Sequence, residues 1–436
     1  MSGYHGTKNA STRKAAVEGN AANVSMQLEF SLDELKNVLR SGVHSLCTAA
    51  GLTVLYKMME EDVTALVGPK GKHNPDRIGF RHGSEKTSVV LSGQRVAIER
   101  PRVRQVNNGG ELPVETYELA KRDDLLLEAA LARMLYGLSS RNYQRGQDTT
   151  PEAVETHGAS KSTVSRRFIQ ATEAELKKVM SRKLDDLGIS VLLVDGVHFA
   201  GTTVVVAMGI DRLGAKHVLG IKHGATENAR ICKDLLADLV DRGLDADDGL
   251  LAIIDGSKAL RSALKQVFGQ QVLIQRCRVH KRRNVLDYLP KAQRPWVNRQ
   301  LTKAWTLDTA AEAVRALKTL ATRLEEQYPD AAASLREGLD ETVTVMRLGI
   351  SGLLAKSLST TNAIESAFDM VRSHTRNVKN WHNGNMIQRW AAAGLLAAEE
   401  RFRRIKGYRD MHLLRAGIRR LTVEKEKEGE TRSKSA

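Results

Sequence analysis

The segment ISVLLVD, residues 189–195, is a nearly continuous apolar run that ends on a carboxylate. A run that short, apolar at almost every position, suits a strand buried on both faces. Two more follow at once, TTVVVAMGID at 202–211 and HVLGIK at 217–222, joined by the turns Ala200-Gly201 and Arg212-Leu213-Gly214. Turns of two or three residues join antiparallel neighbours. Residues 227–242 then read as an amphipathic helix, with Ile231, Leu235, Leu236, Leu239 and Val240 on one face. A buried strand, GLLAIID at 249–255, ends in a second carboxylate. Ser257 caps a helix running through Phe268, and QVLIQRC at 271–277 is a fifth strand. The order β-β-β-α-β-α-β predicts an α/β fold with a mixed sheet. Asp195 and Asp255 close the first and fourth strands, and ligands of such sheets bind where adjacent strands end.

The flanking regions divide the 436 residues further. Residues 1–25 are small and polar, the composition of a disordered tail. Residues 26–120 read as a helical region plus a small β element. Leu28, Leu32, Leu35, Val38 and Leu39 have helical spacing, and 86–104 predicts two strands around Ser92-Gly93. Residues 121–180 carry a strong helix at 123–136 and a second one starting at Lys161, with Gly158 turning the chain and Ser160 as N-cap. That is the layout of a helix-turn-helix DNA-binding domain, with Lys161, Ser162, Ser165 and Arg166 on the first turns of the reading helix; a plainly packed helix fits the same pattern. Residues 281–356 are helical. Residues 359–378 form an amphipathic helix capped by Thr360 or Thr361, whose stripe is Ala363, Ile364, Ala367, Phe368 and Val371, with Glu365 beside it. The expected catalytic core is therefore 188–280 plus 357–400, split by a helical insertion at 281–356. Residues 401–436 form a basic helical C-terminus whose tail, after Leu421, is expected to be disordered.

Lysine and arginine number 67 and aspartate and glutamate 51, a net charge of 67 − 51 = +16, which favours a polyanionic partner, nucleic acid first. Three widely spaced cysteines, Cys47, Cys232 and Cys277, make no disulfide framework and suit a reducing compartment. No window approaches the ~18 apolar residues of a membrane span. GxxxxGK[ST], GxGxxG and GxSxG are all absent, so neither a nucleotide cofactor nor a serine hydrolase is expected.

Two strand-end aspartates and one acid on a later helix make chemical sense if they converge. Bare carboxylates so placed repel and raise one another's pKa, and hard divalent cations relieve that. Two such ions clamp the attacking and leaving oxygens of an in-line phosphoryl transfer.

Five strings in order carry a family resemblance: GASKSTVSR at 158–166, VDGVHFAG at 194–201, IDGSKAL at 254–260, QRCRVHKRRNVL at 275–286 and STTNAIES at 359–366. They resemble the motifs of Mutator-type transposases of bacterial insertion sequences, related to plant Mutator-like elements. The match is clearest over residues 120–395. The resemblance implies a ribonuclease-H-like mixed sheet with a DDE catalytic core and a helical insertion before the last acid. It implies Asp195, Asp255 and Glu365 as the catalytic, Mg²⁺-binding (or Mn²⁺-binding) triad, and Cys277 and His280 as a near-site Cys-x-x-His signature. It further implies 3′ end cleavage and strand transfer on double-stranded DNA, the element's terminal inverted repeats and its target. Joining two ends requires a homodimer or higher multimer, and the expected place is the bacterial cytoplasm, at the nucleoid. The chain departs from the family in having VHFAGTT after the first aspartate and AFDMVRSHTRN after Glu365.

Other readings stay open beside this one. A nuclease of the same fold would only hydrolyse, and a domesticated relative would bind DNA without cutting it. Lys258 and Arg261, on the first turn of a helix, suit a phosphate or a solvated face equally. Arg276, Arg278, Lys281, Arg282 and Arg283 make a dense basic cluster suited to DNA backbone, and Arg372 and Arg376 follow Glu365, with Trp381 as a stacking or core residue. Cys277 and His280 would be half a zinc site, but no other ligand pair is evident.

Overall fold

The computed structural model describes residues 13–17, 26–30, 43–72, 74–91, 94–107, 109–122, 124–138, 156–157, 160–199, 201–224 and 228–434. The chain forms two units, Met1–Ala171 and Thr172–Ala436. In the first, β1 (Arg13–Val17) pairs antiparallel with β2 (Met26–Phe30). At 13–17 this stands where disorder was expected, and at 26–30 where a helix was expected: Met26, Leu28 and Phe30 alternate with polar residues, the period of a strand. The rest of the expected tail and residues 31–42 of the expected helix lie outside the described residues, and its later part is α1 (Val43–Val67). The expected strand pair is present and longer, β3 (Gly79–Leu91) and β4 (Gln94–Gln105), its turn residues 92–93 lying outside the described residues. Their register slips between Arg81 and Ser84, opposite Pro101. Gly83, with φ +73°, supplies the extra residue of this bulge, and a proline without an N–H is tolerated where the ladder yields. Next come β5 (Glu111–Leu112), α2 (Glu115–Ala120), α3 (Asp124–Leu135) and β6 (Thr156–His157), with β5 and β6 both pairing with β4. Met59, Val63, Val89, Ile98, Val103 and Tyr117 form the core between α1 and this sheet.

The expected second helix is α4 (Lys161–Met180), and Ser160 Oγ accepts from Thr163 N at 3.2 Å, the anticipated N-cap. Ala130 of α3 packs on Val164 of α4. The connection between them falls mostly outside the described residues, at 139–155 and 158–159.

The second unit is built on β7 (Ile189–Phe199), β8 (Thr202–Asp211) and β9 (Lys216–Gly224), then α5 (Ala229–Asp241), β10 (Leu250–Ile254), α6 (Lys258–Phe268) and β11 (Val272–Arg276). The five strands lie in the order β11-β10-β7-β8-β9, with β7, β8 and β9 antiparallel and β10 and β11 parallel to β7. This mixed α/β arrangement is compatible with the ribonuclease-H-like topology. Alternate residues of β7 serve opposite faces. Leu192 and Val194 pack with Leu235 and Leu239 of α5 and Leu260 and Leu264 of α6. Val191 and Leu193 pack on the other face in one core with Ile364, Phe368, Ile387 and Leu395. Burial on both sides explains the unbroken apolar strings.

The insertion follows β11 as α7 (Arg278–Asp287), α8 (Arg294–Trp305), α9 (Ala310–Glu325), α10 (Pro329–Arg336), a 3-10 turn at Asp340–Val343, α11 (Thr344–Arg347) and α12 (Gly352–Leu358). It has its own core, including Val285, Leu301, Leu317, Leu320, Leu335 and Val343. The chain returns to the sheet through α13 (Asn362–Thr375) and α14 (Gly384–Glu399), with Ile364, Phe368, Ile387 and Leu395 against it. The expected disordered tail is instead α15 (Met411–Lys434), consistent with the high helix propensity of its glutamates and lysines.

Arg242 ties the unit together. Its guanidinium donates to the carbonyls of Val179, Arg182 and Leu219 and to Asp238. Removing it leaves three carbonyls, one of them on the edge strand β9, without this donor. Arg242→Ala is expected to lower stability by roughly 2–4 kcal/mol, read as a lower denaturation midpoint of this unit with the far-ultraviolet spectrum unchanged.

Candidate active site

The parallel pairing of β7 and β10 sets the two aspartates. Leu251, Ala252 and Ile253 pair with Val191, Leu192 and Leu193. Two residues further along each strand lie Asp255 and Asp195, so the register brings the two side by side. Asp195 is not at a strand end as expected: β7 continues to Phe199, paired with β8 alone. Asp195 therefore sits where β7 outruns β10. It is buried, 8% exposed, and Asp255 is half-buried. Burial, then the charge of Asp255, pushes the Asp195 carboxyl up to about 7; Glu365 adds a smaller push, while the Gly196 amide and the charge of His280 oppose it. Main-chain amides hold both aspartates: Gly196 N donates to Asp195 Oδ1 and Ser257 N to Asp255 Oδ1, each at 2.8 Å. Ser257 also caps α6 as expected, accepting from Leu260 N.

Glu365 lies on the first turn of α13, where a local network fixes it. Thr361, the residue before that helix, does not cap it. Its hydroxyl instead donates to Glu365 Oε1 at 2.7 Å, and it lies 3.3 Å from Cys277 Sγ and 3.4 Å from His280 Nδ1. His280 Nε2 is 3.5 Å from Glu365 Oε1. Thr361 N donates to Cys277 Sγ. Burial pushes the Cys277 thiol up, but hydrogen bonds from His280 and Thr361 outweigh it and leave it below its ordinary value. The same bond to Cys277, with the charges of Cys277, Glu365 and Asp195, raises His280 to about 9 against the effect of burial. The Cys-x-x-His pair is thus a hydrogen-bonded couple of a buried thiol and a half-buried imidazole set beside Glu365. Thr361 was expected only as a cap; its position four residues before Glu365, one helical turn away, was the signal for its contact.

The acids influence one another, yet among the described residues no three His, Cys, Asp or Glu side chains are gathered closely enough to hold a metal ion as they stand. The donor set nonetheless suits a hard cation: Mg²⁺ takes carboxylate oxygens, often only one or two, and fills its other positions with water or phosphate. A buried aspartate beside a second aspartate, with amide donors and a single imidazolium as compensation, fits such an ion.

Comparison with known proteins identifies the family. Residues 24–404 match the family described as Transposase, Mutator family. The chain belongs to that family. The transposase is 26% identical over 373 residues to the transposase for insertion sequence element ISRM5 of Rhizobium meliloti (strain 1021), covering 83% of this chain and 90% of that protein. It is 30% identical over 295 residues to the transposase for IS6120 of Mycolicibacterium smegmatis, covering 65% and 87%. For the IS905 transposase of Lactococcus lactis subsp. lactis (strain IL1403) the figures are 25% over 351 residues, 78% and 85%. Membership makes the chain an insertion-sequence transposase, a DNA-binding enzyme that cuts and rejoins DNA. Among the described residues no helix is long and apolar enough to cross a membrane.

The basic residues of the transposase divide sharply. Lys161, Ser162 and Arg166 are exposed on the first turns of α4 and Ser165 is half-exposed. Lys258, 88% exposed, stands on the turn after Asp255, and Arg283, Arg372 and Arg376 are also exposed, Arg372 pairing with Asp369. Arg276, Arg278 and Lys281 are not on the surface, which corrects the expectation that they display charge to DNA. Arg276 donates to the Glu337 and Gly256 carbonyls, and Arg278 to those of Thr342 and Trp305. Lys281, fully buried, donates to the Ser334 and Glu337 carbonyls. Arg282 lies over the Trp305 ring, 5.6 Å from its centre. Trp381 sits between Phe199 and Trp390, ring centres 6.0 and 6.4 Å away, in the aromatic packing at the sheet.

Burial, then the charge of Arg276, pushes the Lys281 ammonium from 10.5 down to about 8, against Glu337 and Glu341. The unfolded chain holds that proton more tightly, so the fold carries a cost below pH 8 that fades as pH rises through about 8 to 10.5. Lys281→Met is expected to remove this rise, read as the difference between wild-type and variant denaturation midpoints across that window.

Proposed function

We propose that the transposase is a DDE-type polynucleotidyl transferase in which Asp195, Asp255 and Glu365 hold Mg²⁺ (or Mn²⁺) and act on the terminal inverted repeats of its element. The observation that carries this is the β7–β10 register, which brings two aspartates together, with the helix bearing Glu365 packed on the same sheet. Bound divalent ions would supply Lewis-acid activation of the nucleophile and neutralise charge on the leaving oxygen.

The rest of the work belongs to side chains. Asp195 and Asp255, oriented by the Gly196 and Ser257 amides, present their oxygens at the point where β7 leaves β10. Thr361 and His280 hold Glu365 Oε1, so the third acid is oriented from α13 rather than left to rotate. The N-terminal turn of α6, with Lys258 exposed on it, is suited to a phosphate flanking the one under attack. In the first reaction water attacks phosphorus and the P–O3′ bond breaks, leaving a 3′ hydroxyl and a 5′ phosphate. In the second, that hydroxyl attacks a target phosphorus, forming a new P–O3′ bond as the target strand's own is broken. One geometry serves both, because both are in-line displacements at phosphorus. The exposed residues at the start of α4 suit recognition of the terminal repeat, and synapsis of two ends calls for a multimer acting at the nucleoid.

Asp195→Asn, Asp255→Asn and Glu365→Gln are each expected to reduce cleavage of a terminal oligonucleotide by at least ~10²–10³-fold while its binding stays intact. Loss of binding in all three folded variants would count against this division of labour. A strand-transfer assay on pre-cut 3′ ends separates a transposase from a hydrolase, since the latter would yield no joined product. Thr361→Val is expected to lower turnover ~10–100-fold, with Thr361→Ser restoring it. Arg166→Ala is expected to weaken preference for the terminal repeat over random duplex, measured by competition binding.

A further inference from the structure

Residues 401–420, RFRRIKGYRDMHLLRAGIRR, contain eight lysines and arginines and one aspartate, 8 − 1 = +7 of the chain's net +16. Almost all of this segment lies beyond residue 404, where the family match ends. Its apolar residues anchor it: Ile405, Met411, Leu414 and Ile418 are buried. Ile405 N donates to the Gly214 carbonyl in the β8–β9 turn. Gly214 and Gly249 leave room for it, since a Cβ on the first would stand 2.5 Å from Tyr408 Cβ and one on the second 2.6 Å from Ile418 Cγ2. Arg415 and Arg419 hold Asp248, and Arg420 donates to the Arg347 carbonyl. Arg403, Arg404, Lys406 and Arg409 remain displayed, all exposed, with Arg404 stacked 5.2 Å from the Tyr408 ring centre.

This surface lies at the wrong end of the sheet for the acids. Gly214 closes the turn before β9, and Gly249 precedes β10, whereas Asp255 follows β10. The five residues of β10 separate Gly249 from Asp255, six steps or about 20 Å along the strand direction.

We propose that residues 401–409 are a second DNA-binding surface, which holds the phosphate backbone of a stretch of duplex away from the scissile phosphate. The proposal rests on the transposase's being a DNA-binding enzyme, and not on the roles given to its acids. Four of the five cations in 401–409 are arginines, whose planar fork suits phosphate. An anionic lipid surface fits less well: the segment's apolar side chains face the core, and among them Leu413 alone is strongly exposed, so it offers no apolar face for insertion.

The test is a triple variant, Arg403→Ala, Lys406→Ala and Arg409→Ala, with affinity for a random-sequence duplex measured without divalent metal as a function of salt. The expected result is binding weaker on the order of 10-fold and a log–log salt slope shallower by about 2–3, the loss of three phosphate contacts. Arg403→Lys, Lys406→Arg and Arg409→Lys together should keep the wild-type slope. A matched variant in the insertion, Lys291→Ala, Arg299→Ala and Lys303→Ala, removes the same charge from another exposed surface. An equal effect there would overturn the proposal in favour of diffuse net charge. An unchanged slope in the first variant with unchanged melting would also overturn it, as would loss of binding to phosphatidylserine vesicles with duplex binding retained. Asp195→Asn separates the two readings: it should abolish cleavage and leave the slope alone, whereas the triple variant should keep the cleavage rate at saturating DNA.

Discussion

Two carboxylates side by side in a protein interior are unfavourable, and the second unit is arranged around making that tolerable. The β7–β10 register brings Asp195 next to Asp255, and apolar layers on both faces of the sheet keep the pair in a low-dielectric setting. The result is an Asp195 carboxyl poised near neutrality instead of fully ionised. Only amide donors at Gly196 and Ser257 and the imidazolium of His280 relieve it. No lysine or arginine forms an ion pair with either aspartate among the described residues. A site that keeps its own cations at this distance stays receptive to cations from outside.

The third acid is handled differently. Glu365 sits on a helix rather than on the sheet, and a hydroxyl and an imidazole position it. Cys277 and His280 follow directly from β11, so the hydrogen bonds through Thr361 connect a strand end to the start of α13 across the whole length of the insertion. The Cys-x-x-His spacing places Cys277 at the N-cap of α7 and His280 on its first turn, both next to Thr361, and the chemistry of the pair is hydrogen bonding, with the thiol acting as acceptor.

Much of the core could be read directly from residue order. Unbroken apolar strings and tight turns define β7, β8 and β9, and Ser257 and the apolar stripes of α5 and α13 mark helices because each signal is local. Asp195 was assigned to a strand end because the apolar run stops there; pairing with β8 carries the strand on, and pairing is not local. The same limit applies to the basic cluster at 276–283. Charge in a sequence does not say whether it meets water or main-chain carbonyls, and here Arg276, Arg278 and Lys281 turn inward while Arg283 stays outside. Met26–Phe30 shows the reverse error, a pattern of period two submerged in a longer helical spacing. The approach of Asp195 to Asp255 followed from topology, whereas the exact placing of Glu365 relative to them depends on the packing of α13, which no spacing rule encodes.

Those inward cations have a mechanical consequence. An apolar seam can slide by a fraction of a turn and lose little, because dispersion contacts are interchangeable. From β11, Arg276 donates to the Glu337 carbonyl and Gln275 to that of Thr342, Thr344 donates back to the Ile274 carbonyl, and Arg278 and Lys281 pin the first helix of the insertion to the Thr342, Ser334 and Glu337 carbonyls, so the joint fits at one setting only. The insertion is keyed to the sheet rather than glued to it. A helical excursion of some eighty residues thereby returns the chain to a fixed docking point, and its length and outer surface are free to vary while the point of return is not.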